Sequence, residues 1–335
     1  MDKSYYCPKL EKTLNFLPQE IKYCCSCAAC PGVVIKDSKN LEKEKIIKTK
    51  KQLIEMFKNG IIPTKCRGCT EYREIKEENS NFIKKLIGFF YPKETKKISH
   101  LIMNHYKQCE CKCIYCTEII NHNLKKQNYN ALPLIKQLFE EKMIDKKNLT
   151  VEFQGGNVSL LTEFEDILEE LSKNKCKNII ILTNGVQYLP AVEKYASKMN
   201  FRLCISLDSG TKETFNKIKR IDAFDKVIDN IKKFTSLQNV ELTLKYITLN
   251  GINDNINEIK GFLNIVKETE NKVAVAFDID YRDTFLTPGD KFIAPEHYKE
   301  LYKEVEEFCK ENNILYTIQP QLKTVLKKGY YEQSW

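Results

Sequence analysis

Residues 98–116 read ISHLIMNHYKQCECKCIYC, and the architecture of the chain is legible outward from them. The first six residues are a short, mostly apolar run, which predicts a strand over 98–103. The run ends at Asn104, and eight residues then carry Cys109, Cys111, Cys113 and Cys116. Thiols two or three positions apart suit a metal ion or an iron–sulfur cluster, which needs several thiolates on one centre. Cys109, Cys113 and Cys116 form a C-x3-C-x2-C set that leaves one metal position open. A zinc knuckle with Cys111 as fourth ligand is the competing reading.

Downstream, short apolar runs alternate with helical patterns. Strands are predicted at 149–153, 178–183, 202–207, 240–247 and 273–279. Helices fall around 131–144, 162–173, 189–199, 222–235 and 255–268, then a helix at 295–312 and a strand at 314–318. Such alternation predicts a parallel sheet with helical crossovers. Six units either close into a partial (β/α)6 TIM-like barrel or open into a doubly wound sheet. In both designs the site lies at the C-terminal strand ends.

Upstream, residues 1–70 hold Cys7, Cys24, Cys25, Cys27, Cys30, Cys66 and Cys69 among turn residues. The spacing predicts a helix over 41–58 and a second amphipathic helix over 71–90, ending before Pro92. The expected division is a cysteine-rich domain at 1–97, an α/β core at 98–285 and a helix/strand extension at 286–335. Cys176, Cys204 and Cys309 sit alone in apolar segments and read as buried small hydrophobes.

The chain has 335 residues, 42% apolar and 30% charged, with 14 cysteines. That is a globular composition, not a disordered one. No run of 18 apolar residues occurs, which argues against a membrane helix, and the N-terminus MDKSYYCPKLEK has no signal-peptide core, so the cytoplasm is expected. There the thiols stay reduced and disulfides are a poor explanation for the clusters. The net charge of +9 comes from lysines interleaved with acids; only Arg67, Arg73, Arg202, Arg220 and Arg282 are arginines. Arginine dominates bidentate phosphate and base recognition, so no nucleic-acid partner is assigned.

FQGGNVSL, residues 153–160, follows the second strand. Gly155 and Gly156 permit close backbone approach to a ligand; a tight strand-to-helix turn is the plainer reading. After the fourth strand, ISLDSGTKETFNKIK (205–219) places Ser206 and Asp208 two apart on a strand end, pointing one way. Helix capping by Asp208 or Ser209 explains the same residues. Asp278 and Asp280 likewise share a side of the sixth strand and are the candidate catalytic residues, placed to bind or deprotonate a substrate; outward solvation or a salt bridge to a lysine explains them equally well. His100, His105, His122 and His297 show no metal-ligand spacing.

The C-x3-C-x2-C loop after the first strand, with Tyr115 before its last cysteine, resembles the radical S-adenosylmethionine (radical SAM) superfamily. The resemblance covers most of 98–285. It implies that Cys109, Cys113 and Cys116 hold a 4Fe–4S cluster whose open iron binds S-adenosylmethionine. Reductive cleavage would then give a 5′-deoxyadenosyl radical that abstracts hydrogen from a substrate. Tyr115 would lie near the adenine. Gln154-Gly155-Gly156-Asn157 is similar to the family's GGE motif for the methionyl amine, with Asn157 where Glu is usual. Ser206 would contact the ribose, with Asp208 beside it, and Lys219 or Arg220 would reach the methionyl carboxylate. The N-terminal cysteines resemble SPASM or twitch auxiliary domains, although those normally follow the barrel. This implies a second 4Fe–4S cluster on Cys7, Cys24 (or Cys25), Cys66 and Cys69. A structural zinc site and unligated thiols remain alternatives. The expected substrate is a peptide or protein, with a sugar, nucleotide or cell-envelope precursor as the other reading. A flavodoxin- or ferredoxin-type reductant would supply the electron. A non-enzymatic zinc or iron–sulfur module is the rival class.

Overall fold

The computed structural model describes residues 4–23, 32–34, 43–63, 66, 72–75, 97–116, 129–270, 272–280 and 291–332. Their strands are β1 (Ser4–Tyr6), β2 (Thr13–Phe16), β3 (Glu20–Lys22), β4 (Gly32–Val34), β5 (Arg73–Ile75), β6 (His100–Met103), β7 (Thr150–Phe153) and β8 (Asn178–Thr183). There follow β9 (Asn200–Ser206), β10 (Val240–Thr248), β11 (Val273–Ile279), β12 (Lys291–Ile293), β13 (Tyr316–Ile318) and β14 (Tyr330–Glu332). The helices are α1 (Pro8–Lys12), α2 (Lys43–Lys58), α3 (Leu132–Glu140), α4 (Phe164–Lys173) and α5 (Pro190–Tyr195). The remaining helices are α6 (Lys212–Lys219), α7 (Phe224–Thr235), α8 (Ile256–Lys267), α9 (Tyr298–Glu311) and α10 (Pro320–Lys328).

β6 through β11 lie side by side in chain order, all parallel, with helices between successive strands. This is the predicted α/β design, and each of the six strands falls within about two residues of its expected place. The pattern works because alternate residues divide the sheet's two faces. Phe201, Leu203, Ile205, Leu242, Leu244, Tyr246, Val275 and Phe277 are buried. Their face packs on helices: the Tyr246 ring meets Phe262 of α8, and Phe277 meets Tyr302 of α9. The alternating set, Arg202, Cys204 and Ser206 on β9 with Thr243 and Lys245 on β10, is less buried and faces the opposite, concave side. Cys176 and Cys309 are buried as expected, but Cys204 is half-buried on this polar face.

The sheet does not stop at these six strands. Its order is β13-β11-β10-β9-β8-β7-β6-β2-β3-β4. β2 pairs in parallel with β6, from Thr13↔His100 to Phe16↔Met103, and all four of its residues are buried. The sheet therefore runs across residue 97 on one edge, and past residue 286 through β13 on the other. α2 buries Ile46, Leu53 and Phe57. It is tied down by Tyr23 Oη donating to Ile46 O and Lys50 Nζ donating to Glu11 O.

One expectation fails locally. Arg73–Ile75 is not the start of a helix but a strand, pairing antiparallel with β1 from Ser4↔Ile75 to Tyr6↔Arg73. Tyr72 packs edge-on against both Tyr5 and Phe57. A partner nearly 70 positions away satisfies its backbone, which helical periodicity cannot register. The rest of the predicted 71–90 helix lies outside the described residues, as do Cys24, Cys25, Cys27, Cys30, Cys69 and His122.

Candidate active site

The cysteine loop hangs from the C-terminal end of β6 and is clamped on both sides. Toward β7, Gly156 N donates to Tyr106 O (3.1 Å) and Asn157 N to Gln108 O (2.7 Å). Toward α6, Lys112 N donates to Lys219 O and Ile114 N to Ile218 O, both at 3.0 Å. The two glycines have a concrete reason. A Cβ on Gly156 would overlap the Gln108 carbonyl and lie 2.8 Å from Gln108 N. Gly155 has φ +111° and faces Asn104 and the Tyr106 carbonyl. The close approach is therefore made by the cysteine-bearing loop. Gln154 is half-buried beside it, with its N–H donating to Met103 O (3.0 Å).

Cys109, Cys113 and Cys116 are half-buried, and Cys111 is buried. Asn184, just after β8, donates to Cys111 Sγ (3.2 Å) and Cys109 Sγ (3.5 Å). The four thiols divide unequally. Cys111 donates to its neighbours and its own pKa is pushed up by that bonding, so it keeps its proton. The same bond lowers Cys109. Cys113 falls to about 6, through Cys111 first, with burial opposing and the Lys219 charge assisting. A cluster binds thiolates, so this donor set fits an iron–sulfur centre on Cys109, Cys113 and Cys116, with Cys111 outside it. Among the described residues no three Cys, His, Asp or Glu side chains are already gathered at metal-binding spacing. Of the expected auxiliary ligands, Cys7 and Cys66 are both buried.

Behind Cys113 lies a buried ionic triad. Lys219 Nζ donates to Asp208 Oδ2 (2.5 Å) and to Tyr115 Oη (2.7 Å), and Tyr115 Oη donates to Asp208 Oδ2 (2.6 Å). The second Asp208 oxygen accepts from Ile247 N (2.7 Å). Asp208 has φ +60°, a left-handed geometry that aspartate tolerates better than most residues. Asn253 holds it there, with Nδ2 donating to Asp208 O (2.8 Å) and Ile247 O (2.9 Å), while Oδ1 accepts from Leu249 N (2.7 Å). Lys219, expected to reach a carboxylate on a ligand, is spent inside the protein, with its side chain 1% exposed. Tyr115 joins it through the hydroxyl, with Lys219 Nζ also 5.1 Å from its ring centre.

Ser206 ends β9 on the concave face, beside Lys245 in register. Lys245 pairs with Asp278 at 3.0 Å, and Asp278 and Asp280 are each 2% exposed. Asn157, in the position expected for a ligand-binding acid, is 1% exposed and saturated by protein. Its Nδ2 donates to both oxygens of Glu110 (2.8 and 3.0 Å) and to Ser159 Oγ (2.7 Å), and its Oδ1 accepts from Thr183 Oγ1 (2.8 Å). Sequence reasoning passed over Glu110, Asn184, Lys245 and Asn253. Glu110 sits in the quoted cysteine loop, but nothing in the linear pattern shows which residues meet it. His105, which shows no metal-ligand spacing in the sequence, is buried against Glu163 (3.0 Å), whose Oε1 also accepts from Ala131 N.

A clamped thiol loop at the first strand end, followed by a glycine pair at the second, defines a class. Residues 103–266 match the model of the Radical SAM superfamily, so this part of the chain is a radical SAM domain, of a family that uses a 4Fe–4S cluster and S-adenosylmethionine. More particularly, it is similar to GTP 3′,8-cyclases: 26% identical over 181 residues to that of Clostridium botulinum and 30% over 178 residues to that of Clostridium acetobutylicum. These alignments cover 52% of this chain and 55% of each relative, so the chain spans about half the length of the curated relatives it matches. Among solved structures, Streptococcus suis SuiB bound to S-adenosylmethionine matches with TM-score 0.54 and 14% identity, over 98% of this chain and 74% of that one. Polyhistidine-tagged anSMEcpe with bound AdoMet matches with TM-score 0.53 and 21% identity, over 71% and 66%. No helix among the described residues is long and apolar enough to cross a membrane.

Proposed function

We propose that this radical SAM enzyme modifies a peptide or protein, with Cys109, Cys113 and Cys116 holding the cluster. Bound there, the reduced cluster supplies the electron that cleaves S-adenosylmethionine, yielding a radical able to take a hydrogen atom from carbon. The chain's own contribution is positional. The two clamps fix the thiols at the strand ends, and Lys219 places positive charge behind Cys113. Asn184 restrains Cys109 and Cys111. On the concave face, Ser206 is the proposed contact to the S-adenosylmethionine ribose, the Lys245–Asp278 pair supplies polar groups to orient substrate, and Asp278 with Asp280 are the proposed proton acceptors. The auxiliary cluster on the N-terminal cysteines, the cytoplasmic setting and a flavodoxin- or ferredoxin-type electron donor belong to the same reading.

The observation that carries the peptide assignment is the extent of the fold match. SuiB bound to precursor peptide SuiA aligns with 97% of this chain at TM-score 0.53, flanks included. The cyclase relatives align in sequence with 52–65%. Their name favours a second reading, a guanine nucleotide substrate. The presence of only five arginines weighs against triphosphate capture.

Anaerobic reconstitution tests the class. It should give a brown protein with roughly four irons per chain, or about eight with the auxiliary cluster. Dithionite should then release 5′-deoxyadenosine from S-adenosylmethionine, and Cys113→Ala should abolish that release. Zinc as the sole bound metal would sink the assignment. Stimulation of cleavage by short peptides and not by GTP supports the peptide reading; the converse supports the nucleotide.

A further inference from the structure

We infer that Glu110, between the first two cysteines of the loop, is the carboxylate that receives the ammonium group of S-adenosylmethionine. The inference rests on the radical SAM reading and adds a residue to its cofactor site. It follows from how three side chains meet. Asn157 stands in the expected position for an amine-binding acid, but it is a neutral amide, nearly inaccessible, and committed on both ends to protein groups. Its Nδ2 instead grips both oxygens of Glu110, at 2.8 and 3.0 Å.

That grip aims and orients Glu110 without neutralising it. An amide donor carries no net charge, and each carboxylate oxygen keeps a further lone pair. Glu110 is half-buried, and among the described residues no lysine, arginine or histidine pairs with it. A carboxylate drawn partly out of water without a cation is electrostatically unsatisfied, which favours binding a positive ligand. The location selects which cation. Glu110 directly follows Cys109 in sequence, in the loop that bears the proposed cluster ligands, and is held from the end of β7. An ammonium bound beside those thiols would find its counter-charge in this carboxylate. Asn157 is then a positioning residue, and Glu110 supplies the charge.

The test is S-adenosylmethionine binding to the reconstituted protein, read by equilibrium dialysis, with no turnover required. Glu110→Gln keeps the side chain's size and removes its charge. It should weaken binding about 10- to 100-fold, the worth of one charge-assisted hydrogen bond, with iron content unchanged. The double variant Glu110→Gln with Asn157→Glu exchanges donor and acceptor, and should restore affinity to within a few-fold of wild type. An analogue lacking the α-amino group should bind wild type and Glu110→Gln equally. Unchanged S-adenosylmethionine binding by Glu110→Gln would overturn the assignment. So would equal loss for the amino and desamino ligands, which marks a merely structural role. Failure of the wild-type, iron-loaded protein to bind S-adenosylmethionine at all would instead defeat the radical SAM reading beneath it.

Discussion

Asp208→Asn is the sharpest probe of the site's framework. The carboxylate accepts from Lys219 Nζ, Tyr115 Oη and Ile247 N at 2.5, 2.6 and 2.7 Å, and both Asp208 and Lys219 are 0% exposed. Asparagine preserves the shape and tolerates φ +60°, so the substitution isolates the charge. Removing one partner of a buried ion pair costs about 3–5 kcal/mol, because the other charge is left unpaired in a poorly polar site. Against a typical total of about 5–15 kcal/mol, that is a large fraction of the stability. Lys219→Met should cost a similar amount, since Asp208 is then stranded. The double variant Asp208→Asn with Lys219→Met should recover most of the loss, giving a coupling of several kcal/mol.

The pH dependence carries the same signature. Burial alone would lower the pKa of Lys219, but Asp208 and then Cys113 outweigh it, so its folded value is raised. Its contribution is therefore complete below the free-lysine value of about 10.4, and is lost only as pH rises through the folded value. Wild type should be insensitive to this group from about pH 7 to 9. In Asp208→Asn burial prevails and the folded value drops below the unfolded one. Stability should then climb as pH rises toward about 10. Urea titrations at about pH 7 and about pH 9 measure both effects. A loss under about 1 kcal/mol, additive with Lys219→Met and with the wild-type pH slope, would refute the buried-pair account.

Two further outcomes follow from the clamps. Gly156→Ala sets a Cβ against the Gln108 backbone, and should cost about 1–3 kcal/mol by overpacking. Because the displaced loop carries the thiols, iron retained after reconstitution should fall with it, and a wild-type iron content together with an unchanged melt would contradict this. Asn253→Ala removes three buried hydrogen bonds and should destabilise by about 2–4 kcal/mol. Loss of protection at the Ile247 and Leu249 amides in hydrogen exchange would locate the damage at the end of β10.

The legible part of this protein was the local part. Six strands and their intervening helices declare themselves through periods of two and about 3.6, which depend only on near neighbours. The cysteine loop was legible for the same reason, as its ligand spacing lies within eight residues. The N-terminal strands were not. β2 is only the four residues TLNF, too short for its alternation to declare a strand, and its partner β6 begins 87 positions later. Arg73–Ile75 looked helical until paired with Ser4–Tyr6.

Within the site, the sequence determined which chemistry the chain can host: three thiolates at one strand end and a glycine pair at the next. Which residues are offered outward and which are consumed internally was decided only in three dimensions. Lys219 and Tyr115 are 104 positions apart, yet both meet on Asp208. Asn157 and Glu110 are 47 apart, yet together they hold one uncompensated carboxylate beside the thiols. A residue type states what a side chain can donate, accept or ionise. Only its folded neighbours determine whether that capacity is already spent.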